Sequence, residues 1–188
     1  MAKVIVWNLV SLDGYFEGTK KWDLDFHNRG WGEELDQLSK DFGQSTGLLV
    51  FGRVTYEGMK AYWTTNEDES GETRRYMNAL PKLVASRSLS TSDWNNTELT
   101  ADIVSELKRR KKTIDKTIYV FGSAELTESL LEAGLVDEIM LGLIPIRLGR
   151  GTPFFKDSTK PQNFNFLEAR PLKTGAVILR YAPEVGAG

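Results

Sequence analysis

Short apolar runs and longer segments with helical periodicity alternate along most of the chain. The apolar runs have strand length, and several end directly at a glycine or a hydroxyl residue. The predicted strands cover residues 3–10, 48–51, 82–85, 117–121, 136–144, 163–172 and 175–182. Segments in which apolar residues recur every three or four positions predict helices over 31–42, 54–62, 71–79, 102–112 and 124–133. Strands and helices therefore alternate until the last two strands, which follow one another.

This order predicts an α/β fold of three layers, in which a mixed, mainly parallel sheet carries helices on both faces and ends in an antiparallel hairpin. We predict a single domain over residues 1–182 and a flexible tail over 183–188. The segment 64–70 is predicted to be a polar loop, and 11–30 a loop rich in glycine and aromatic residues. Residues 88–97 are polar without a clear period and predict no element.

Composition narrows the classes of function. The 188 residues include 24 Lys and Arg and 26 Asp and Glu, so the net charge of -2 provides no positive field for nucleic acid or an anionic membrane. The basic run at 108–112 ends a predicted helix, where cations are favourable. With no cysteine and one histidine, the chain predicts neither a disulfide nor a metal site. We therefore expect a cytoplasmic protein that binds neither nucleic acid nor membrane.

The segment 48–57, LLVFGRVTYE, carries the strongest chemical signal. Its apolar strand stops at Gly52, and Arg53 and Thr55 open a predicted helix. A glycine at such a turn lets backbone amides approach an anion, while the helix start, the guanidinium and the hydroxyl add favourable interactions. Taken alone, the same residues also fit an ordinary turn with an N-capping threonine.

Two further predicted strands end in similar turns. One runs into Ser86 and Arg87, and the other into Gly122 and Ser123. Because the carboxyl ends of parallel strands meet at one edge of a sheet, the three turns are expected to converge there. Their convergence predicts a nucleotide-binding cleft.

The same turns belong to an ordered set of motifs. These are Ser11-Leu12-Asp13-Gly14, Gly52-Arg53-x-Thr55-Tyr56-Glu57, Pro81-Lys82-x-Val84-x-Ser86-Arg87, Gly122-Ser123-Ala124-x-Leu126, Gly134-Leu135-Val136-Asp137-Glu138 and Pro145-Ile146-x-Leu148-Gly149-x-Gly151. Through them the chain resembles the dihydrofolate reductase-like reductases over residues 4–182. It is most similar to the riboflavin-biosynthesis reductase, the C-terminal domain of the bifunctional deaminase-reductase.

The resemblance implies an NADPH-dependent oxidoreductase that acts on a small heterocycle, 5-amino-6-(5-phosphoribosylamino)uracil in that family, and that forms a homodimer. The cofactor-binding residues it implies are Gly52, Arg53, Thr55, Ser86, Arg87, Gly122, Ser123, Ala124, Glu125 and Leu126. The guanidinium of Arg87 beside a hydroxyl suits a 2′-phosphate. On the substrate side, the predicted residues are Asp13, which is also the catalytic candidate, Gly14, Trp22 and Glu34.

Several alternatives remain open at the level of sequence. Glu34 also suits the positive end of a helix, and the loop aromatics Trp22, Phe26 and Trp31 could form a small core instead of covering a heterocycle. Ser123 stands where similar proteins often have a second glycine. The competing hypotheses are a dihydrofolate reductase-like enzyme acting on another pterin or heterocycle, and a non-catalytic dinucleotide-binding protein of the same fold.

Overall fold

The computed structural model describes residues 1–65, 71–156 and 161–184. The strands are β1 (Val4–Ser11), β2 (Tyr15–Glu17), β3 (Thr46–Gly52), β4 (Lys82–Ala85), β5 (Thr97–Thr100), β6 (Thr117–Phe121), β7 (Glu138–Ile144), β8 (Thr152–Pro153), β9 (Phe164–Pro171) and β10 (Val177–Pro183). The helices are α1 (Glu33–Ser45), α2 (Arg53–Thr65), α3 (Glu72–Ala79), α4 (Ile103–Thr113) and α5 (Ala124–Glu132), with a 3-10 helix at Asp25–Arg29.

Eight strands form one sheet in the order β5-β4-β3-β6-β1-β7-β10-β9. All neighbouring pairs from β5 to β7 are parallel, while β10 runs antiparallel to both β7 and β9. The short strands β2 and β8 form a separate antiparallel pair. The predicted mixed, mainly parallel sheet with a carboxyl-terminal hairpin is thereby confirmed.

Alternation along the strands divides the core into two parts. On β1, for example, Ile5 and Trp7 face one side of the sheet, whereas Val4 and Val6 face the other. The first side is covered by α1, α2 and α3, which contribute Leu35, Phe42, Tyr56 and Met77. The second side is covered by α4 and α5, which contribute Leu107, Leu126, Leu130 and Leu131. Helices therefore lie on both faces, as the alternating pattern predicted.

The structure also corrects the sequence assignments in detail. The predicted loop 11–30 contains β2 and the 3-10 helix, and the unassigned stretch before residue 97 leads into β5, which the sequence did not predict. Helix α2 continues through Thr65, so the predicted loop 64–70 begins as helix, and its remainder lies outside the described residues. Most of the predicted tail, 185–188, also lies outside them, and Pro183 belongs to β10.

Two observations bear on partners. The basic run ends α4 as predicted, and three of its side chains pair with carboxylates: Arg109 with Glu106, Arg110 with Glu98 and Glu106, and Lys111 with Asp137. Across the described ranges, every helix is too short or too polar to cross a lipid bilayer.

Candidate functional site

The carboxyl ends of the central strands bring the predicted turns side by side. In the parallel registers, Gly52 of β3 lies opposite Ala85 of β4, and Phe51 lies opposite Phe121 of β6. Phe121 in turn lies opposite Trp7 of β1. The turns that follow β4, β3 and β6 are therefore neighbours along one edge of the sheet, where open α/β folds bind ligands.

Two of these turns approach each other so closely that only glycine fits. A Cβ atom on Gly52 would lie 2.9 Å from both Cβ and Oγ of Ser123, and one on Gly122 would lie 2.7 Å from Oγ1 and Cγ2 of Thr55. Gly122 also has a φ of +62°, which costs glycine little. The predicted cofactor residues after β3 and β6 thus form one interlocked pair of turns.

Each turn opens a helix at this edge. Helix α2 begins at Arg53 directly after Gly52, so the first backbone amides of α2 have no partner within the helix. Arg53 pairs with Glu57 at 3.1 Å, and Thr55 is buried. Ser123 caps α5, because its Oγ accepts a hydrogen bond from the amide of Leu126 at 3.3 Å. The two helix starts create a concentrated region of backbone donors that suits an anion.

Ser123 holds this position in an unfavourable backbone conformation. Its φ is +57°, in the left-handed region that side-chain-bearing residues seldom adopt. Ser123 therefore combines a left-handed backbone conformation with the N-cap of α5, at the position where similar proteins often have a second glycine. In the following turn of α5, Ala124 is buried, and Glu125 is exposed and pairs with Lys156 at 2.8 Å.

The turn after β4 adds an arginine, Arg87, next to the turn after β3. The Oγ of Ser86 accepts hydrogen bonds from the amides of Ser88 at 3.2 Å and Leu89 at 2.9 Å, which fixes the turn. Arg87 is exposed and pairs with no carboxylate in the part of the chain that the structure describes. Its guanidinium is therefore available for a ligand.

Asp13 joins the turn after β1 to the loop after β7. Its carboxylate accepts hydrogen bonds from the Ser11 hydroxyl at 2.7 Å and from the amides of Leu148 at 3.0 Å and Gly149 at 2.7 Å. Desolvation raises the pKa of Asp13, but these hydrogen bonds outweigh it and lower the pKa to about 2. Gly14 completes the turn with a φ of +83°.

The four ring side chains of the 22–31 loop take different positions. Phe26 is buried in the core, and the ring of Trp22 packs against α2 where Gly58 lacks a side chain. Burial lowers the pKa of His27 to about 4, although a hydrogen bond with the backbone of Phe16 opposes the shift. Trp31 is exposed. The core interpretation thus holds for Phe26, and the covering of a heterocycle by the other rings stays a prediction.

Trp22 is braced in a strained conformation. Its φ is +63°, and its amide donates to the carboxylate of Glu17 at 2.5 Å. Together with Val54, Gly58 and Tyr62 of α2, it lines an open groove of ≈ 510 Å³. Gly58 and Glu17 were not predicted from the sequence, although a glycine inside a helical pattern is a signal for close packing.

Glu34 takes a position that differs from the cofactor residues. Its carboxylate accepts a hydrogen bond from the amide of Lys173 at 2.6 Å and so ties α1 to the turn between β9 and β10. The structure brings together the cofactor candidates from three turns, and it places Asp13 and Gly14 in the turn that follows the neighbouring strand β1. It shows Glu34 engaged with the hairpin, and its predicted contact with a substrate stays a prediction.

The fold and these turns define a class of protein: an α/β domain whose mainly parallel sheet brings three glycine- and hydroxyl-containing turns together at its carboxyl edge. A family model for the RibD C-terminal domain matches residues 2–178. The chain belongs to that family. This confirms the resemblance inferred from the motifs.

Two proteins of Bacillus subtilis (strain 168) are similar over most of their length. The uncharacterized protein YyaP is 28% identical over 181 residues, which cover 95% of this chain and 94% of YyaP. The uncharacterized protein YwjB is 27% identical over 160 residues, 84% of each chain.

Solved structures share the fold. A protein of Shewanella sp. PV-4, provisionally assigned to riboflavin biosynthesis, has a TM-score of 0.77 at 21% identity, with 98% of this chain and 99% of that chain covered. Acinetobacter baumannii RibD has a TM-score of 0.70 at 15% identity, and the match covers 98% of this chain and 58% of RibD. A deaminase/5-amino-6-(5-phosphoribosylamino)uracil reductase of Thermotoga maritima has a TM-score of 0.67 at 13% identity, covering 97% and 57%.

Proposed function

We propose that this protein is an NADPH-dependent reductase that transfers a hydride to an electron-poor C=N or C=O carbon of a heterocycle, as the 5-amino-6-(5-phosphoribosylamino)uracil reductases do. The observation that carries the proposal is the interlocked pair of turns, in which Gly52 meets Ser123 and Gly122 meets Thr55. Membership of the RibD C-terminal domain family and the reductase named among the structural neighbours support it.

The residues present fit a dinucleotide phosphate. Helices α2 and α5 both begin at this edge, and Gly52 and Gly122 let the two turns that open them pack closely against each other. Arg87 follows the neighbouring strand β4, and its exposed guanidinium, which has no carboxylate partner among the described residues, suits a 2′-phosphate. Gly52, Thr55, Gly122 and Ser123 would hold the pyrophosphate.

When bound, NADPH supplies the hydride and the protein supplies position and exclusion of water. The turns after β3 and β6 fix the cofactor, while the turn after β1 and the 14–31 loop bound the substrate side. Trp22 closes part of this side by packing across to α2. The hydrogen bond from the Trp22 amide to Glu17 holds Trp22 in this position before the substrate binds.

Asp13 acts in this proposal as a positioning residue. A carboxylate with a pKa of about 2 is ionised at neutral pH and cannot donate the proton that follows hydride transfer. Its hydrogen bonds instead hold Leu148 and Gly149 in place between Arg147 and Arg150. Both arginines are exposed and pair with no carboxylate in the described ranges, so they can receive an anionic group of the substrate.

We also propose that the protein is a cytoplasmic homodimer whose contact includes β9. This strand forms the outer edge of the sheet, and its Phe166 and Leu167 are exposed. An unpaired edge with large apolar side chains favours association with another chain.

Titration with NADPH and, separately, NADH tests the cofactor assignment, with tryptophan fluorescence as the readout. We expect selective binding of NADPH. Changing Arg87 to Ala should weaken NADPH binding about ten- to a hundredfold, because a hydrogen bond to a charged group contributes about 1.5–3 kcal/mol. Binding of NADH should change little.

Arg170→Ala is the matched control. Arg170 is also exposed and unpaired within the described residues, but it lies on β9, away from the turns. It should bind NADPH as the wild type does. If the wild type binds neither nucleotide, the proposed function is wrong. If the wild type binds NADPH, turnover assays with the phosphoribosylaminouracil and with dihydrofolate separate the two reductase hypotheses.

A further inference from the structure

Trp31 is an exposed aromatic residue in a loop whose other rings are packed. Phe26 is buried, Trp22 packs against α2, and Nε2 of His27 is buried. Trp31 is 48% exposed and contacts no other ring in the described part of the chain. A tryptophan ring offers a large, flat and mostly apolar surface, and the exposed part of this one is accessible to a planar ligand.

The backbone on both sides of Trp31 is fixed. The carbonyl of Gly30 accepts a hydrogen bond from the Thr174 hydroxyl at 3.0 Å, and a Cβ on Gly32 would lie 2.8 Å from Cγ2 of the same threonine. Glu34 then ties the first turn of α1 to Lys173. The ring is therefore presented by a rigid segment, which lowers the entropic cost of binding.

Trp31 lies at the substrate end of the carboxyl edge. A side chain on Gly30 would collide with Ile144, the last residue of β7, which lies opposite Ser11 at the end of β1. The turn that contains Asp13 follows Ser11 directly, and Leu12 in that turn is also exposed. Trp31 and Leu12 are thus two exposed apolar side chains in segments that meet this end of the carboxyl edge, while the turns proposed to bind phosphate follow β3 and β6.

We propose that Trp31 stacks on the planar heterocycle of the substrate and so determines specificity for flat, electron-poor rings such as pyrimidines and pteridines. The inference rests on the proposed reductase function. An indole ring binds a flat heterocycle best in an offset stack, and stacking does not depend on which substituents the heterocycle carries. The flanking loops would select those substituents, Arg147 and Arg150 through charge.

Isothermal titration calorimetry tests the inference with two probes, 5,6-diaminouracil and lumazine, added to protein saturated with NADP⁺. Trp31→Ala should weaken binding of the probes about tenfold or more, as removal of a base-stacking aromatic does in other proteins. Trp31→Phe should keep most of the affinity. In turnover assays, Trp31→Ala should raise KM much more than it lowers kcat.

Two controls separate this inference from the proposed function. Phe166→Ala removes another exposed ring, on the edge strand β9, and should change no probe affinity. NADPH titration of Trp31→Ala should match the wild type. If Trp31→Ala binds both probes as tightly as the wild type, the stacking role is wrong and the reductase function stands. If the wild type binds NADPH but neither probe, the heterocycle assignment fails along with the inference.

Discussion

At the scale of single residues, Gly122 is the position where backbone conformation and space coincide. Its φ is +62°, and any Cβ would meet Thr55 at 2.7 Å. Gly134, at the end of α5, has a φ of +63° with nothing within 4 Å of a Cβ. The two glycines therefore share a backbone conformation and differ in the space around them.

We expect Gly134→Ala to destabilise the fold by about 1 kcal/mol, from backbone strain alone. Gly122→Ala should cost about 2–4 kcal/mol, because steric overlap with Thr55 adds to the same strain. Urea denaturation measures both. Gly122→Ala should also weaken NADPH binding in the folded protein, whereas Gly134→Ala should not. Equal losses of stability would show that the two turns do not interlock.

His27 predicts a dependence of stability on pH. Its pKa of about 4 in the folded protein lies below the ordinary value of 6.5, so the unfolded chain binds the proton more tightly. Its stabilising contribution is therefore complete above about pH 6.5 and declines as the pH falls towards 4, by about 3 kcal/mol in total.

The chain has one histidine, so its imidazole signal in a proton NMR titration is unambiguous. We expect that signal to titrate near pH 4. Between pH 7 and pH 4, the free energy of unfolding should fall less in His27→Phe than in the wild type. Denaturant unfolding of both proteins at the two pH values measures this difference. An imidazole that titrates near 6.5 would contradict the buried position.

At the scale of elements, hydrophobic periodicity predicted the buried strands and failed to predict the short polar or long-range ones. The apolar strands β1, β3, β6 and β7 were all predicted, because parallel strands covered on both faces read as apolar runs. Strand β5, TELT, is a short polar edge strand and carries no such signal. The pair β2–β8 depends on contacts between distant segments, which no local pattern shows.

The candidate site divides in the same way. Turn chemistry was sufficient to predict that Gly52, Gly122 and Ser123 meet at one edge of the sheet, because they stand at the ends of apolar strands. The hydrogen bonds of Asp13 to Leu148 and Gly149 join residues about 135 positions apart in the chain, and so no local pattern predicted them. The exposure of Trp31 was equally invisible, since burial is a property of the whole fold.

Lys82 shows how one buried side chain connects elements at the start of β4. It is 1% exposed, and its ammonium group donates to the carbonyls of Asn78 at 3.2 Å, Leu80 at 2.8 Å and Asn95 at 3.1 Å. The ammonium also lies 4.5 Å from the ring centre of Trp94. Burial lowers the pKa of Lys82 to about 8. This group joins the end of α3 to the segment that precedes β5.

Lys82→Met keeps the apolar stem but leaves those carbonyls without their donor. We expect a loss of about 1–3 kcal/mol in the free energy of unfolding and faster hydrogen exchange in β5. Lys3→Met, at an exposed position, is the control and should change neither. Unchanged exchange in β5 would show that the ammonium does not hold that segment.

At the scale of the whole molecule, the proposed dimer is tested by light scattering. We expect the wild type to have the mass of two chains. Replacing Phe166 and Leu167 together by Asp should give the mass of one chain, because charges on an exposed edge strand oppose pairing. The variant should still bind NADPH, since the turns after β3 and β6, which we propose to bind its phosphates, lie far from β9 in the strand order. A wild type with the mass of one chain would rule out this association.

The position of β1 has a consequence for synthesis of the chain on the ribosome. The first strand, Val4–Ser11, lies between β6 and β7 in the middle of the sheet. Its edge towards β6 has no partner strand until Phe121 has been translated, and its edge towards β7 has none until Ile144 has been translated. Closing such long-range pairings is slow. Until then the strand VIVWNLVS lacks the neighbours that bury it, so we expect chaperones to bind this segment during synthesis.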